Sequence, residues 1–485
     1  MDDKEARTLF PVTEKYCYMD HAAVAPISSS AAETMASFAR DMAEEGRLAS
    51  KKWFERIDGL RKNAAILMGT QAANIAFIKN TTSGIIIASQ AIPSRPGDNV
   101  IIGAGEFPAN VYPWVYSRGL EVRVAPARDG EVHADDIEAL MDNRTRAVSI
   151  SMVNYANGCR ANMEAIGSLC SRRSVFFVVD GIQALGCIKV HPADFHCDFL
   201  SADGHKWLLG PEGAGFLYVS DKALRECKPA NSGWLGVTDP FDFENLSQEL
   251  KSDASRFEEG TFNVAGLVAL ADSVDMILAA GPEKVFDKVA KLTARLRRGL
   301  LDAGAEILSP MDPHTLAGIT TFRHHLVKLD LLAKGMQRRG IIVSRRGGGL
   351  RVSPHFYNTE AEIDMVLETF RSIVDMARKA GVKSAETPGL SVLSPEEFTK
   401  IVSFEKPASG TALEAKIPTA EIISSSAAEA EADKAIAENV TIENVTIEKA
   451  AIETSSESAA TSDTEAITAD KSDSHASDKA EETKN

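Results

Sequence analysis

Two stretches of the sequence place reactive side chains directly after short apolar runs. The run VFFVV ends at Asp180, and the run FLSA is followed by Asp203, Gly204, His205 and Lys206. A lysine amine can form an imine with an aldehyde, and a carboxylate can pair with a protonated ring nitrogen. Pyridoxal phosphate needs both groups, so Lys206 is predicted to hold this cofactor as a Schiff base and to move a proton. Taken alone, the His-Lys pair would more often be a surface turn with a solvated lysine.

These side chains need elements that bring them together. Residues 70–220 contain seven short apolar runs separated by helical periodicity or turn residues. Such a pattern is typical of a largely parallel sheet that helices cover on both faces, and ligands bind at the carboxyl ends of its strands. Asp180 and Lys206 would lie at these ends. The predicted strands are Ile75–Ile78, Val100–Ile102, Val122–Ala125, Ala147–Met152, Val175–Val179, Phe199–Ala202 and Gly215–Val219.

A smaller α+β domain is predicted after this sheet. Residues 264–304 have the pattern of a long amphipathic helical region, and a helix is predicted from Thr359 to about Lys379 with Thr359 as its N-cap. Between them lie the strand candidates Gly318–Phe322, Gly340–Ser344 and Gly349–Val352. We therefore expect three parts, namely a large α/β domain at 1–263, a small domain at 264–383 and a tail at 384–485.

The tail carries most of the charge. From Glu386 onward the chain has 21 Asp/Glu and 8 Lys/Arg, against a net charge of −16 for the whole protein. Its Ala, Glu, Ser, Thr and Lys residues cannot bury enough apolar surface to offset chain entropy, so the tail is predicted to be disordered. The remaining residues form no clustered basic face, which argues against binding of nucleic acid.

The six cysteines are irregularly spaced and form no CxxC pair, which argues against a disulfide framework and against a metal site. The N-terminus MDDKEARTLF lacks the pattern of a signal peptide, and no apolar stretch is long enough to span a membrane. We therefore expect a cytoplasmic protein with reduced cysteines and no membrane partner.

The motifs and their order resemble the class V aminotransferase superfamily, which includes cysteine desulfurases, selenocysteine lyases, kynureninases and isopenicillin N epimerases. The resemblance covers roughly residues 15–380 and implies a fold-type I pyridoxal-phosphate enzyme with a large, mostly parallel sheet of the seven-stranded type. The matching stretches are YMDHAAVAP, KNTTSG, EFPAN, NGCR, VVDGIQ, SADGHKWLLGPEGAG, RFEEGTFN and RVSPHFYNTEAEID.

The resemblance implies a set of cofactor contacts. Lys206 matches the Schiff-base lysine, Asp180 the acid at the pyridine nitrogen, and Gln183 the residue at the phenolic oxygen. Phe107 stands where the family stacks a ring on the cofactor. The phosphate contacts that the resemblance implies are Thr81, Thr82, His205 and Thr261, of which Thr261 would come from the neighbouring subunit of a homodimer with a shared site.

Other positions bear on the substrate, which the resemblance implies is a small amino acid. Arg351 matches the arginine that binds the α-carboxylate, and His21 and Asn110 are further substrate-binding candidates. Tyr155 stands where desulfurases often have an Asn. Arg345 and Arg346 precede three glycines, and they could either read an extra acidic group or lie in an exposed hairpin turn.

The reaction is less sharply indicated. Cysteine desulfurases carry sulfur on a cysteine before the arginine strand, but this sequence has no cysteine after Cys227. The favoured prediction is therefore a desulfurase-like C–S or β-lyase that lacks this persulfide cysteine. Alternatives are an amino-acid:keto-acid transaminase, an epimerase-like racemase in which Tyr155 supplies the second proton, or a non-catalytic scaffold that has kept the fold.

Overall fold

The computed structural model describes residues 3–117 and 119–379. The predicted disordered tail at 384–485 lies outside these residues. The strands in the described residues are β1 (Cys17–Tyr18), β2 (Ile75–Ile78), β3 (Asn99–Gly103), β4 (Glu121–Ala125), β5 (Ala127–Arg128), β6 (Glu131–Val132), β7 (Thr145–Ser151), β8 (Phe176–Asp180), β9 (Phe199–Asp203), β10 (Gly215–Val219), β11 (Glu306–Ile307), β12 (Thr320–Arg323), β13 (Ile341–Ile342), β14 (Ser344–Arg346) and β15 (Gly349–Val352).

Helices pack around these strands. The α-helices in the described residues are α1 (Asp3–Thr8), α2 (Ser29–Glu44), α3 (Ser50–Leu67), α4 (Thr81–Ala91), α5 (Tyr112–Val115), α6 (Ala134–Leu140), α7 (Met163–Arg173), α8 (Asp221–Glu226), α9 (Val264–Ala280), α10 (Pro282–Asp302), α11 (Leu329–Gln337) and α12 (Glu360–Lys379).

The central element is a seven-stranded sheet in the order β2-β10-β9-β8-β7-β3-β4. β3, β4, β7, β8 and β9 pair in parallel, whereas β10 pairs antiparallel with both of its neighbours. These strands are the seven that the apolar runs predict, so the predicted α/β class is confirmed. Alternate residues point to opposite faces: Phe177 and Val179 join one hydrophobic core and Phe176 and Val178 another, which is why the strands read as continuous apolar runs.

The region 264–304 is two helices rather than one continuous helical region. α9 ends before Gly281, which has φ +89°, and Pro282 begins α10 at an angle of 81°. The apolar residues of α9 belong to the core of the large sheet, whereas Leu292 and Leu296 of α10 belong to the core of the small one. We therefore propose that the small domain begins at Pro282, and the boundary at 264 stays a prediction.

In the described residues, no single helix is long and apolar enough to cross a membrane. α9 and α10 meet the length and composition only as a bent pair, and α9 is largely buried in the core of the protein.

The small domain consists of a four-stranded sheet in the order β11-β12-β15-β14, packed against α10, α11 and α12. Its predicted strands are present with shifted bounds, and the second candidate is split into β13 and β14. Thr359 accepts the Glu362 N–H at 3.2 Å, as expected for the N-cap of α12. β1 pairs in parallel with β13, which joins the N-terminal segment to the small domain.

Candidate active site

The carboxyl ends of β8 and β9 bring the two central groups to one edge of the sheet. The two strands are parallel neighbours, with Asp180 at the end of β8 beside Ser201 of β9. Lys206 follows β9 after a short turn, in which Oδ1 of Asp203 accepts the Gly204 N–H at 2.7 Å. The structure thus places the reactive lysine and the acid where a ligand of a parallel sheet binds.

Lys206 has the properties of a reactive amine. Burial lowers the pKa of its ammonium group to about 8, although the negative charge of Asp180 raises it. Its Nζ lies 5.7 Å from the centre of the Phe107 ring. Because the neutral amine is the nucleophile, the lowered pKa makes Lys206 available at physiological pH.

Asp180 is a buried carboxylate with a directed environment. Burial raises its pKa to about 6, while the Ile182 N–H, 3.0 Å from Oδ1, and the charge of Lys206 lower it. A protonated ring nitrogen placed here would supply a positive charge and favour the ionised carboxylate. Asp180 therefore fits the acid partner of a pyridine nitrogen.

Gln183 is held by two protein contacts. Its Nε2 donates to the Ala22 carbonyl at 2.9 Å, and its Oε1 accepts the Trp207 indole N–H at 2.8 Å. An amide nitrogen has two hydrogens, so Gln183 is oriented by these contacts and keeps one donor for a ligand oxygen.

The N-terminus of α4 forms the anion-binding part of the site. Asn80 caps the helix by accepting the Ser83 N–H, and Ser83 returns a bond to the Asn80 backbone. Thr81 is buried and accepts the Asp203 N–H at 3.1 Å, whereas Thr82 is exposed and is not the N-cap. A capped helix N-terminus with an exposed hydroxyl suits a phosphate group.

His205 lies at the same strand end. Its Nδ1 is 3.0 Å from Oδ2 of Asp203, but the two atoms are not aligned for a hydrogen bond, and this buried nitrogen has no hydrogen-bond partner in the structure. Asp203 thus binds its own turn and approaches a neighbouring ring, which agrees with the expectation that it caps a turn or pairs with a cation.

Thr261 lies apart from Lys206 in an exposed position. With Lys79 and Ser83 it lines a cleft of about 430 Å³ beside the N-terminal turn of α4. Its side chain faces solvent in the single chain, which is where a residue that reaches a second subunit would be found.

Arg351 is the buried cation of the small domain, with 2% of its surface exposed. It donates to the Tyr155 carbonyl at 2.9 Å and to Oδ1 of Asp20 at 3.3 Å, and its buried Nε has no hydrogen-bond partner in the structure. Burial lowers the pKa of Arg351, and the charge of Asp20 opposes this shift. The unpaired Nε gives a substrate carboxylate a donor to bind.

His21 and Asn110 are less directly placed. His21 is fully buried, its Nδ1 donates to the Ser353 carbonyl, and its Nε2 accepts from the Tyr357 hydroxyl at 2.6 Å. The Oδ1 of Asn110 accepts from Ser149, and its side chain is also fully buried. Their substrate contact stays a prediction, and His21 has both ring nitrogens bound to protein.

Glu106 is a further candidate that the sequence did not single out. Its carboxylate accepts the Ser151 backbone N–H at 2.7 Å and the Ser151 hydroxyl, so it anchors the segment that carries Phe107 to β7. Burial raises its pKa to about 7. The only available signal was its position after β3, next to a residue already chosen.

Tyr155 completes the wall that faces Phe107. The two rings meet edge to face with their centres 5.1 Å apart. Tyr155 therefore lies between the predicted cofactor-stacking ring and the arginine that its carbonyl holds.

Comparison with known proteins places these residues in a family. Residues 17–366 match the sequence model of the family described as aminotransferase class-V.

The chain belongs to the class V aminotransferase family.

This membership confirms the predicted family and cofactor, so the protein is a pyridoxal-phosphate-dependent enzyme. A probable cysteine desulfurase of Methanothermobacter thermautotrophicus is 28% identical over 78% of this chain and 99% of its own length. A cysteine desulfurase of Cronobacter sakazakii is 29% identical over 75% of this chain and 96% of its own.

Solved structures share the fold. The apo cysteine desulfurase of Thermococcus onnurineus NA1 superimposes with a TM-score of 0.69 at 23% identity, covering 77% of this chain and 98% of that one. A cystine C–S lyase, solved with its product cysteine persulfide, has the same TM-score at 21% identity over 75% of this chain and 99% of that one. The predicted fold-type I architecture is confirmed.

The donor set of this class V enzyme fits pyridoxal phosphate. The fit rests on three features already described, namely an amine of lowered pKa, a buried carboxylate at the neighbouring strand end and an uncommitted hydroxyl at a capped helix N-terminus. The residues that would hold the cofactor are Lys206, Asp180, Gln183, Thr81, Thr82, His205 and Phe107.

The cysteines show whether the enzyme can carry sulfur itself. All six are unpaired and buried. Burial raises the pKa of five of the thiols to about 12 and that of Cys197 well above its ordinary value. A persulfide carrier needs an accessible thiolate, and none of these side chains provides one.

We expect iodoacetamide at pH 8 to leave the native enzyme unmodified and active, because alkylation requires an accessible thiolate. Mass spectrometry after timed exposure measures the modified thiols, and the urea-denatured protein, in which all six should react, is the control. Rapid alkylation of one cysteine in step with loss of activity would show that a buried thiol becomes exposed and takes part.

Proposed function

We propose that this enzyme is a direct C–S lyase for cysteine or an S-substituted cysteine, without a persulfide on the protein. The observation that carries this proposal is the state of the six cysteines, together with a hairpin of Ser, Arg and Gly residues at 344–349, where desulfurases are expected to carry their sulfur-accepting cysteine. Two relatives are named for cysteine desulfurase activity and one for cystine C–S lyase activity, which supports chemistry at a carbon–sulfur bond.

The bound cofactor supplies an electron sink for the electrons of the Cα–H bond. Arg351 would hold the α-carboxylate through its Nε, and Lys206 Nζ would remove the Cα proton. Asp180 would keep the ring nitrogen protonated, and Phe107 would cover the ring. Each of these roles follows from a contact or a burial described above, and each stays a proposal.

The reaction then balances without an oxidant. The Cα–H and Cβ–S bonds break, sulfur leaves with the electron pair of the Cβ–S bond, and a carbon–carbon double bond forms. Addition of water releases pyruvate, ammonium and the thiol or hydrogen sulfide. Desulfuration to alanine would instead transfer neutral sulfur to a thiolate, for which the buried cysteines give no acceptor.

Product analysis tests the proposal. With cysteine as substrate and no added thiol, sulfide and pyruvate should form in a ratio of about one, with alanine below a few per cent of the product. Pyruvate is measured with lactate dehydrogenase, sulfide as methylene blue, and alanine by chromatography. Alanine in equal amount to sulfide would mean desulfuration, new keto acids without sulfide would mean transamination, and a D-amino acid would mean racemisation.

We also propose a homodimer with a shared site. Thr261 is exposed beside the N-terminal turn of α4, and exposed aromatic rings lie close to it, since Trp234 approaches Gly260 and contacts Phe241. Such rings are enriched at interfaces. The six unpaired cysteines support a cytoplasmic location, because disulfides are uncommon there.

A further inference from the structure

The two consecutive arginines of the hairpin at 344–349 point to opposite faces of the small sheet. In the antiparallel register of β14 and β15, Ser344 lies opposite Arg351, Arg345 opposite Leu350 and Arg346 opposite Gly349. Since alternate residues share a face, Arg346 lies on the face of Arg351. Arg345 lies on the other face and pairs with Asp330 of α11.

The face that carries Arg346 is the face of the substrate carboxylate site. Oδ1 of Asp20 accepts from the Ser344 hydroxyl at 2.8 Å and from Arg351, which fixes the direction of this face. The positive charge of Arg346 contributes to lowering the pKa of both Asp20 and Arg351, against the effect of burial on Asp20. Arg346 is thus close enough to act electrostatically on the group that would hold the substrate.

The hairpin keeps this side chain in place and uncovered from the opposite strand. A Cβ added to Gly349 would approach the Phe322 carbonyl oxygen to 2.7 Å, so no larger residue fits opposite Arg346. At the tip, Gly347 has φ +57° and packs against Ala156. Arg346 itself is half-buried and donates from Nη1 to the Arg345 carbonyl. The guanidinium therefore stands on an anchored turn beside the Tyr155 segment.

We propose that Arg346 forms a second anion-binding subsite, which selects substrates with an acidic group on the far side of the sulfur. Diagonal residues of an antiparallel pair lie about 7 Å apart, so Arg351 and Arg346 can hold two anionic ends of one small amino acid derivative. The substrate class is an S-substituted cysteine whose leaving half carries a carboxylate, sulfonate or thiosulfonate. This inference rests on the proposed lyase function for its chemistry.

The reacting bonds are unchanged by this subsite. The Cβ–S bond breaks, and the leaving half departs with the electron pair as an anionic thiol or thiosulfate. Arg346 would bind the leaving half through its distal group before and after this step, so its effect belongs to binding rather than to bond cleavage.

The test uses S-sulfocysteine as the anionic probe and S-methylthiocysteine as the neutral probe. Dissociation constants are measured from the cofactor absorbance in a Lys206→Ala background, which cannot remove the α-proton, and turnover is measured separately in the enzyme with Lys206. Arg346→Met should weaken binding of S-sulfocysteine by about 10- to 100-fold and binding of S-methylthiocysteine by less than about 2-fold. In turnover, KM for S-sulfocysteine should rise with little change in kcat.

Arg345→Met is the matched control, since it removes the same charge from the other face of the same hairpin, and Arg346→Lys should restore part of the affinity. Equal loss for both probes, no loss for either, or the same loss in Arg345→Met would overturn the subsite. If the anionic probe binds as expected but yields no pyruvate in the enzyme with Lys206, the lyase proposal fails while the subsite stands.

Discussion

Replacing Lys206 with alanine should lower kcat for a cysteine-like substrate by about 10²–10⁴-fold, because the enzyme loses the base that removes the Cα proton. The cofactor should remain bound through its other contacts, but reduction with borohydride should no longer fix it to the protein. Mass spectrometry of a digest distinguishes the two cases, since the reduced wild-type enzyme should carry the cofactor mass on Lys206.

Lys222→Ala is the control for this variant. Lys222 is also partly buried and ion-paired, with Asp198 at 2.9 Å, but it lies near the start of β9 rather than at its end. It should keep borohydride fixation and turnover. Full activity in Lys206→Ala would contradict the mechanism, whereas equal loss in both variants would point to a general effect on folding.

The same residue predicts a pH dependence. An ordinary lysine has a pKa of 10.5, whereas burial lowers that of Lys206 to about 8. Because only the neutral amine attacks the aldehyde, capture of cofactor by the apoenzyme should become about tenfold faster per pH unit below 8 and reach a plateau near pH 9. A rate still rising tenfold per unit above pH 9 would show that burial does not lower this pKa.

Sequence reasoning recovered the elements that local pattern specifies. Seven apolar runs became the seven strands of the large sheet, because a sheet covered on both faces needs apolar residues at every position. The break between α9 and α10 carried a visible signal, the Gly281-Pro282 pair, which the helical periodicity of 264–304 outweighed.

Contacts between distant segments were beyond the sequence. The ring of His21 binds Ser353 and Tyr357, more than 330 positions away, so its burial could not be read from its neighbours. The hairpin is a similar case, because the register of β14 against β15 decides which arginine faces the site. A shift by one residue would exchange Arg345 and Arg346 between the two faces.

Asp180 offers the second large effect. Asp180→Ala should weaken cofactor binding by about 10²–10³-fold, since breaking a buried charge pair by removing one partner is strongly destabilising. Turnover at saturating cofactor should also fall steeply, because the ring nitrogen would no longer be held protonated. Equilibrium dialysis or cofactor absorbance measures the affinity, and Asp180→Glu should retain part of it.

Asp198→Asn separates this role from general burial of a carboxylate. Asp198 is 4% exposed, similar to Asp180 at 3%, and accepts the Phe177 N–H at 3.0 Å near the opposite edge of the sheet. Its replacement should lower the midpoint of thermal unfolding yet leave cofactor affinity within about 2-fold, because no ligand group is expected at the amino ends of the strands. If Asp198→Asn weakened cofactor binding as much as Asp180→Ala, the effect would come from the stability of the sheet, and Asp180 would have no direct part in holding the cofactor.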